Sequence, residues 1–464
     1  MSNFDFDLVV IGTGPAGQKA AVQGAKAGRR VAIVDKRDLV GGVCVHTGTI
    51  PSKTIREAVI YLSGVRERNI YGASYRVKEQ ITMADLKLRT DYVMRNEMDV
   101  VQHQMMRNGI ELIRGFAAFV DPHTLTVDTA QGERTVTAAH TIIAVGTSPT
   151  QPANIPFEAS RLFTSDGLLG QQDLPRSLTV IGAGVIGIEY ASIFAALGTR
   201  VTVIDMRPRL LDFVDEEVIG ALTYHLRQNR VTIRLGEKVD SMEIDPNTRK
   251  VVTHLKSGKR VASDKALYAV GRTGATGKLN LDAVGLEPDS RGRLVVDEHF
   301  RTAVPHIYAV GDVIGFPSLA STSMEQGRLA AAHACGIQTK SVYELFPYGI
   351  YTIPEISMVG KTEEALTAAG VAYEIGKAHY REISRGQIIG DSIGMLKLIF
   401  GLEDRKLLGV HIIGEGAAEL IHIGQAVMAF GGTIDYFTNT VFNYPTLAEA
   451  YKVAAFDGIN RMNA

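Results

Sequence analysis

An α/β protein containing two Rossmann-like units is predicted by three observations: an apolar strand feeding a glycine turn and a helix, a second copy of that pattern, and one interval shared by both. The first copy runs from Leu8–Ile11 through Gly12, Gly14 and Gly17 into a small-residue helical stretch, Gln18–Ala27. The second runs from Leu178–Ile181 through Gly182, Gly184 and Gly187 into a helix ending at Ala196. In each copy a further strand ends in an acid, Val31–Val34 in Asp35 and Val201–Ile204 in Asp205. The interval from first glycine to acid is identical in both, although the residues between differ.

Each part of the pattern has a physical task. The glycines give a tight turn, let the backbone approach a pyrophosphate, and let helix pack closely on strand. The helix N-terminus presents unpaired N–H groups and the positive end of its dipole to the phosphates. The acid stands where a carboxylate accepts hydrogen bonds from an adenosine ribose. One glycine fingerprint is a weak signal, because such turns also serve ordinary packing. Two in full strand–turn–helix–strand context reject that alternative. Two dinucleotides in one chain point to electron transfer between them, most simply a nicotinamide passing hydride to a bound flavin.

A length of 464 residues suggests about three domains. The 45% hydrophobic and 21% charged composition is that of an ordinary globular protein, and 47 glycines imply many tight turns. Lys and Arg (49) nearly balance Asp and Glu (50), which leaves no basic field for nucleic acid or anionic lipid. Cys44 and Cys335 are far apart and form no disulfide framework, which favours a reduced, cytoplasmic setting. The opening FDLVVIG leaves no room for a signal peptide, and the apolar stretch Leu178–Gly198 is interrupted by Gly182, Gly184, Gly187 and Glu189, so no membrane span is expected.

The segment GGVCVHTGTIPSK, Gly41–Lys53, resembles the active-site helix of the disulfide-reductase flavoenzymes such as lipoamide dehydrogenase and glutathione reductase, the pyridine nucleotide-disulfide oxidoreductase family. AVGTSP at Ala144–Pro149 looks like that family's exit from the FAD domain, and GVIGIEYAS at Gly184–Ser192 like its nicotinamide-binding helix. YAVGD at Tyr308–Asp312 looks like its second flavin motif, and YTIPEISMVG at Tyr351–Gly360 like the opening of its interface domain. The likeness covers essentially the whole chain. It implies an FAD-binding domain in two parts, 1–150 and 274–340, an NAD(P)-binding domain at 151–273, and a C-terminal α+β dimerisation domain at 341–464. A homodimer follows from the likeness, with assembly beyond the dimer left open.

By the same resemblance FAD is held by Gly12, Gly14, Gly17, Asp35, Lys36, Gly41, Gly42, Val43, Cys44, Lys53, Ala117, Gly146, Asp312 and Ala320, with Asp312 on the ribityl chain. NAD or NADP is held by Gly182, Gly184, Gly187, Glu189, Asp205, Arg207, Arg209 and Gly271. Lys53 pairs with Glu189 near the nicotinamide–flavin contact, where its charge stabilises electron density entering the ring. Asp205 suits the 2′-hydroxyl of NADH and repels the 2′-phosphate of NADPH, a charge that Arg207 and Arg209 offset.

The departures from the family pattern are specific. Dithiol members carry two cysteines separated by four residues; here Cys44 is present and Thr49 stands in the second position. They also carry a histidine before a C-terminal Pro-Thr, where this chain has Tyr444, while the acid that would orient it, Glu449, is retained. Cys335, ending the small-residue helix Leu329–Ala334, reads as a buried structural thiol. His46 and His422 lack paired ligand spacing, so no metal is assigned. The chain thus resembles the transhydrogenase branch of the family, in which hydride passes from NADPH to flavin N5 and out to NAD+, reversibly and in ping-pong order. Alternatives are an NAD(P)H:quinone reductase and, more distantly, a flavin-binding signalling protein without turnover.

Overall fold

The computed structural model describes residues 4–37, 39–341 and 345–462. The outer ends of the first and last expected domains and the start of the interface segment at 342–344 lie outside the described residues. The chain divides into two compact units, one comprising 1–54, 87–150 and 271–343, the other 55–86, 151–270 and 344–464.

In the first unit the parallel strands Phe6–Ile11 and Val31–Asp35 lie side by side, flanked by Glu111–Arg114 and by the C-terminal half of Gly132–Ile143, beyond which Ile307–Ala309 adds an edge. Val31–Asp35 is buried along its whole length, as expected of a parallel strand covered on both faces. The N-terminal half of Gly132–Ile143 instead pairs antiparallel with Thr124–Thr129, which pairs with Phe116–Asp121. Helices Pro15–Lys26 and Ala320–Ala334 lie against each other at Gly327, where an added Cβ would stand 2.0 Å from the Ala16 carbonyl oxygen. The first helix begins at Pro15 rather than at Gln18, because proline fits the first helical turn, where its missing N–H has no partner to lose.

Short strands Thr147–Pro149 and Arg272–Gly274 pair antiparallel, so the chain leaves and re-enters this unit at one place. The structure groups Ile55–Leu86 with the second unit, where the sequence reading kept them in the first. Ile55, Val59 and Leu86 share one core cluster with Leu178, Val203 and Ile356.

In the second unit a five-stranded parallel sheet has the order Thr232–Arg234, Arg200–Ile204, Ser177–Ile181, Lys265–Tyr268, Leu162–Thr164. A second, antiparallel sheet has the order Tyr348–Ile350, Ile356–Gly360, Leu407–Ile413, Met395–Gly401, Tyr373–His379, and its core includes residues from the helices Ala417–Ala429 and Glu449–Met462. Met395–Gly401 is buried on both faces along its whole length.

Candidate functional site

The two glycine turns superpose in their chemistry. A Cβ on Gly17 would stand 1.8 Å from the Gly12 carbonyl oxygen, and one on Gly187 would stand 1.9 Å from that of Gly182; only hydrogen lets helix and strand approach this closely. Gly14 faces nothing within 4 Å, so its lack of a side chain leaves open space rather than relieving a contact. That space adjoins helix Pro15–Lys26, which starts without a side-chain cap, as does helix Val185–Ala196 in the second copy. By contrast Asp215 caps helix Glu216–Gln228, accepting from Glu217 N and Val218 N. The two fingerprint helices therefore leave their first N–H groups without a side-chain cap, the arrangement a phosphate site requires.

Each acid is aimed by the same two backbone donors. Asp35 accepts from Thr13 N (2.8 Å) and Arg37 N (2.9 Å), and Asp205 from Ala183 N (2.6 Å) and Arg207 N (2.8 Å). The copies differ in the third partner. Asp35 takes the Thr13 hydroxyl at 2.5 Å, whereas Asp205 takes the Arg207 guanidinium through Nε (3.1 Å) and Nη2 (2.9 Å). Burial opposes ionisation of Asp205, but the bonds from Arg207 and Ala183 outweigh it and hold the carboxyl below the usual carboxylate range. Arg209 does not join this group: it is largely exposed and lies 3.6 Å from Glu216.

Around the first turn, Gly41 N donates to the Thr13 hydroxyl (3.1 Å), and a Cβ on Gly42 would stand 2.7 Å from the Gly14 Cα. The segment Gly41–Lys53 is two helices, not one. Cys44 and Val43 lie on the short Gly42–His46, and Lys53 on Thr49–Ser63. Thr49 favours the Cys44 thiolate, an effect that burial outweighs, so the two positions of the family's dithiol are neighbours here. Burial pushes the Cys44 thiol up, and it stays protonated at neutral pH.

Asp312 is held through Thr147, whose hydroxyl donates to it at 3.3 Å, while Arg272 Nε and Nη2 donate to the Thr147 hydroxyl and carbonyl at 2.8 and 2.9 Å. Burial raises the Asp312 carboxyl above its ordinary value. Thr13, Thr147 and Arg272 were missed in the sequence reading: they belong to the motifs, but their bonds to the two acids are set by the fold. Ala320 opens its helix, Gly146 precedes Thr147, Lys36 is exposed just past Asp35, and Ala117 is buried in the core of the first unit. Gly271 accepts from Thr150 N at 3.2 Å through its carbonyl.

In the second unit Glu189 is buried on helix Val185–Ala196, where its carboxylate accepts from Tyr351 N at 2.8 Å. One turn on, Ser192 Oγ accepts from Ile353 N at 3.1 Å, and Arg56 reaches the Thr352 carbonyl at 2.9 Å and Glu355 at 3.1 Å. The segment 351–355 is thereby fixed beside Glu189. Tyr444 is exposed and its hydroxyl meets that of Ser384 at 2.5 Å. Cys335 corrects the sequence reading: it follows the last turn of its helix and is only half-buried. His46 bonds the Val40 carbonyl at 2.8 Å and His422 the Gln425 side chain at 2.8 Å.

The residues present fit FAD: an open Gly14, an uncapped helix and an acid with acceptor capacity to spare at the first turn, and a half-buried Asp312 in the same unit. Residues 6–327 match the family described as pyridine nucleotide-disulphide oxidoreductase, and 346–455 match its dimerisation domain. The chain is 56% identical over 462 residues to a soluble pyridine nucleotide transhydrogenase of Mycobacterium bovis, covering 99% of this chain and 98% of the relative. It is 48% identical to one of Chromohalobacter salexigens, covering both chains fully. Among solved structures, LpdA of Mycobacterium tuberculosis superposes with a TM-score of 0.89 at 25% identity, covering 97% of this chain and 99% of that one. The flavoprotein disulfide reductase RclA of Escherichia coli does so with 0.86 at 28%, again covering 97% and 99%. The chain belongs to the pyridine nucleotide-disulphide oxidoreductase family and carries that family's dimerisation domain.

Proposed function

We propose that this protein is an FAD-dependent soluble NAD(P) transhydrogenase, passing hydride reversibly between NADPH and NAD+ without a redox disulfide. The observation that carries the reading is Thr49 beside Cys44, where a dithiol enzyme needs its second sulfur. The two transhydrogenase relatives, matched along their whole lengths, support it.

FAD, when bound, would supply a two-electron acceptor and donor of hydride. The chain's own task is positioning, because hydride carries both electrons and no thiol needs a proton partner. Asp35 and the helix at Pro15 hold the adenosine and pyrophosphate, Asp312 the ribityl chain. Lys53 supplies positive charge near the reacting atoms, and Glu189, fixed by Tyr351 N, orients the nicotinamide. Exposed Phe430 and Val441, 92% and 91% exposed in one subunit, support a homodimer built through the C-terminal segment. Cytoplasm is the compartment that fits a reduced Cys44. Initial rates with varied NADPH at several NAD+ concentrations test the reading: parallel double-reciprocal lines support it, and no NADH formed, with quinone reduced instead, replaces it with a quinone reductase.

A further inference from the structure

In the second unit three chain segments meet around one buried arginine. Arg56, on the helix Thr49–Ser63, is 3% exposed, and its guanidinium points three ways. Nε donates to the Thr352 carbonyl at 2.9 Å, Nη2 lies 3.1 Å from Glu355, and Nη1 donates to Glu57 at 2.6 Å. Glu355 is buried too: its carboxylate accepts from Ala418 N at 3.3 Å and its carbonyl from Gly414 N at 2.9 Å. The segment 351–355 is therefore tied to the helix of Arg56 at Thr352 and Glu355. Two of its amides donate the other way, to the helix Val185–Ala196: Tyr351 N to Glu189 at 2.8 Å, and Ile353 N to Ser192 Oγ at 3.1 Å.

We propose that Arg56 is a positioning residue for hydride transfer: through the strap 351–355 it fixes the direction of the Glu189 carboxylate, which orients the nicotinamide. This rests on the role given to Glu189 in the reading above. A buried ion pair contributes little net stability compared with a packed apolar pair of similar volume. What this pair supplies is direction. A guanidinium donates in one plane at fixed angles, so its bonds to Thr352 and Glu355 hold the strap in one register, which a point-charge ammonium does not do. Tyr351 N thus meets Glu189 from a braced backbone. Hydride transfer is steep in geometry, and a displacement of about 1 Å costs about 100-fold in rate. Loss of the brace should therefore slow transfer more than it weakens coenzyme binding.

The double variant Arg56→Met with Glu355→Met removes both charges together, so neither is left buried alone and the thermal midpoint should stay within about 5 °C of the parent. The Tyr351 and Ile353 amides of the holoprotein should exchange hydrogen about tenfold faster or more. Anaerobic stopped-flow reduction over a range of NADPH concentrations should give a limiting rate lowered by about 10- to 100-fold, with the half-saturating concentration shifted by less than about threefold. Arg56→Lys keeps the charge without the fork and should stay slow. Ser192→Ala leaves the ion pair intact and frees one end of the strap; it should exchange faster at Ile353 and be reduced about two- to tenfold more slowly, the worth of one hydrogen bond. That variant decides the matter if the double variant does not fold. Parent-like reduction in the folded double variant or in Arg56→Lys, unchanged exchange at Tyr351, or a loss confined to the half-saturating concentration overturns the proposal. Flavin reduction is common to the transhydrogenase and quinone-reductase readings, so a reduced parent that passes no hydride to NAD+ sinks the transhydrogenase reading alone.

Discussion

Lys397 Nζ lies 2.9 Å from the carboxylate of Asp215, and both side chains are 1% exposed. The same ammonium meets Glu217 at 3.3 Å and Glu363. A lysine of the strand Met395–Gly401 thus neutralises the acid that caps helix Glu216–Gln228. Removing it leaves the Asp215 carboxylate buried without a cation, a change that costs about 3–5 kcal/mol. Lys397→Met is therefore expected to lower the thermal midpoint by roughly 5–15 °C, with part of the loss recovered by adding Asp215→Asn. Unchanged melting of the single variant contradicts this account of the cluster.

Acid sensitivity follows from a buried imidazole in the same region. His411 donates through Nε2 to the Lys361 carbonyl at 2.8 Å, and Nδ1 has no hydrogen-bond partner among the described residues. Burial holds its pKa below the ordinary 6.5. A folded-state pKa below the unfolded one gives stability that is complete above about pH 6.5 and is lost as pH falls through the folded value. The thermal midpoint should fall between pH 7.5 and pH 5.5, a range set by the imidazole's ordinary pKa of about 6.5, and His411→Gln should fall less over it. Equal falls in both proteins would assign the sensitivity to other groups.

Gly14 and Gly17 separate a cofactor effect from a folding effect. At Gly17 a methyl group meets the Gly12 carbonyl oxygen, so Gly17→Ala should destabilise the protein by about 1–3 kcal/mol or more even with FAD removed. At Gly14 the backbone is ordinary and the space is open, so Gly14→Ala should melt like the parent without FAD yet bind FAD more weakly. Melting of the FAD-free proteins and fluorescence titration with FAD read the two effects apart. Full FAD affinity in Gly14→Ala would remove the pyrophosphate from that space.

The Thr49–Cys44 contact makes a gain-of-function test. Anaerobic reductive titration of the parent should consume one electron pair per flavin. Thr49→Cys puts a second sulfur beside the first and should consume a further pair, with a thiol count that falls on oxidation. A parent that already takes the second pair contradicts the absence of a redox disulfide.

Much of this was legible in the sequence because the fingerprints encode it locally. Fixed spacing predicts both turns, both helices and both acids, and the structure places Asp35 and Asp205 on matching backbone donors. The missing second cysteine is equally plain, whereas the closeness of Thr49 to Cys44 is not, since it depends on the break between two helices. Lys397 was invisible for a different reason: it lies in an apolar run that reads as a simple strand, and Asp215 is 182 residues away. Ile55–Leu86 carry no motif, and only their packing assigns them to the second unit. The fork of Arg207 on Asp205 shows the limit of spacing arguments, because proximity in sequence suggested Arg209 equally and the fold chose one.

The most direct measurement is anaerobic stopped-flow of the holoprotein, in which NADPH first reduces the flavin and the reduced protein is then mixed with NAD+ or with a quinone. Rapid return of the oxidised flavin absorbance with NAD+, together with NADH formation, is expected, with a slower response to quinone. Fast reoxidation by quinone with sluggish reaction toward NAD+ would contradict it.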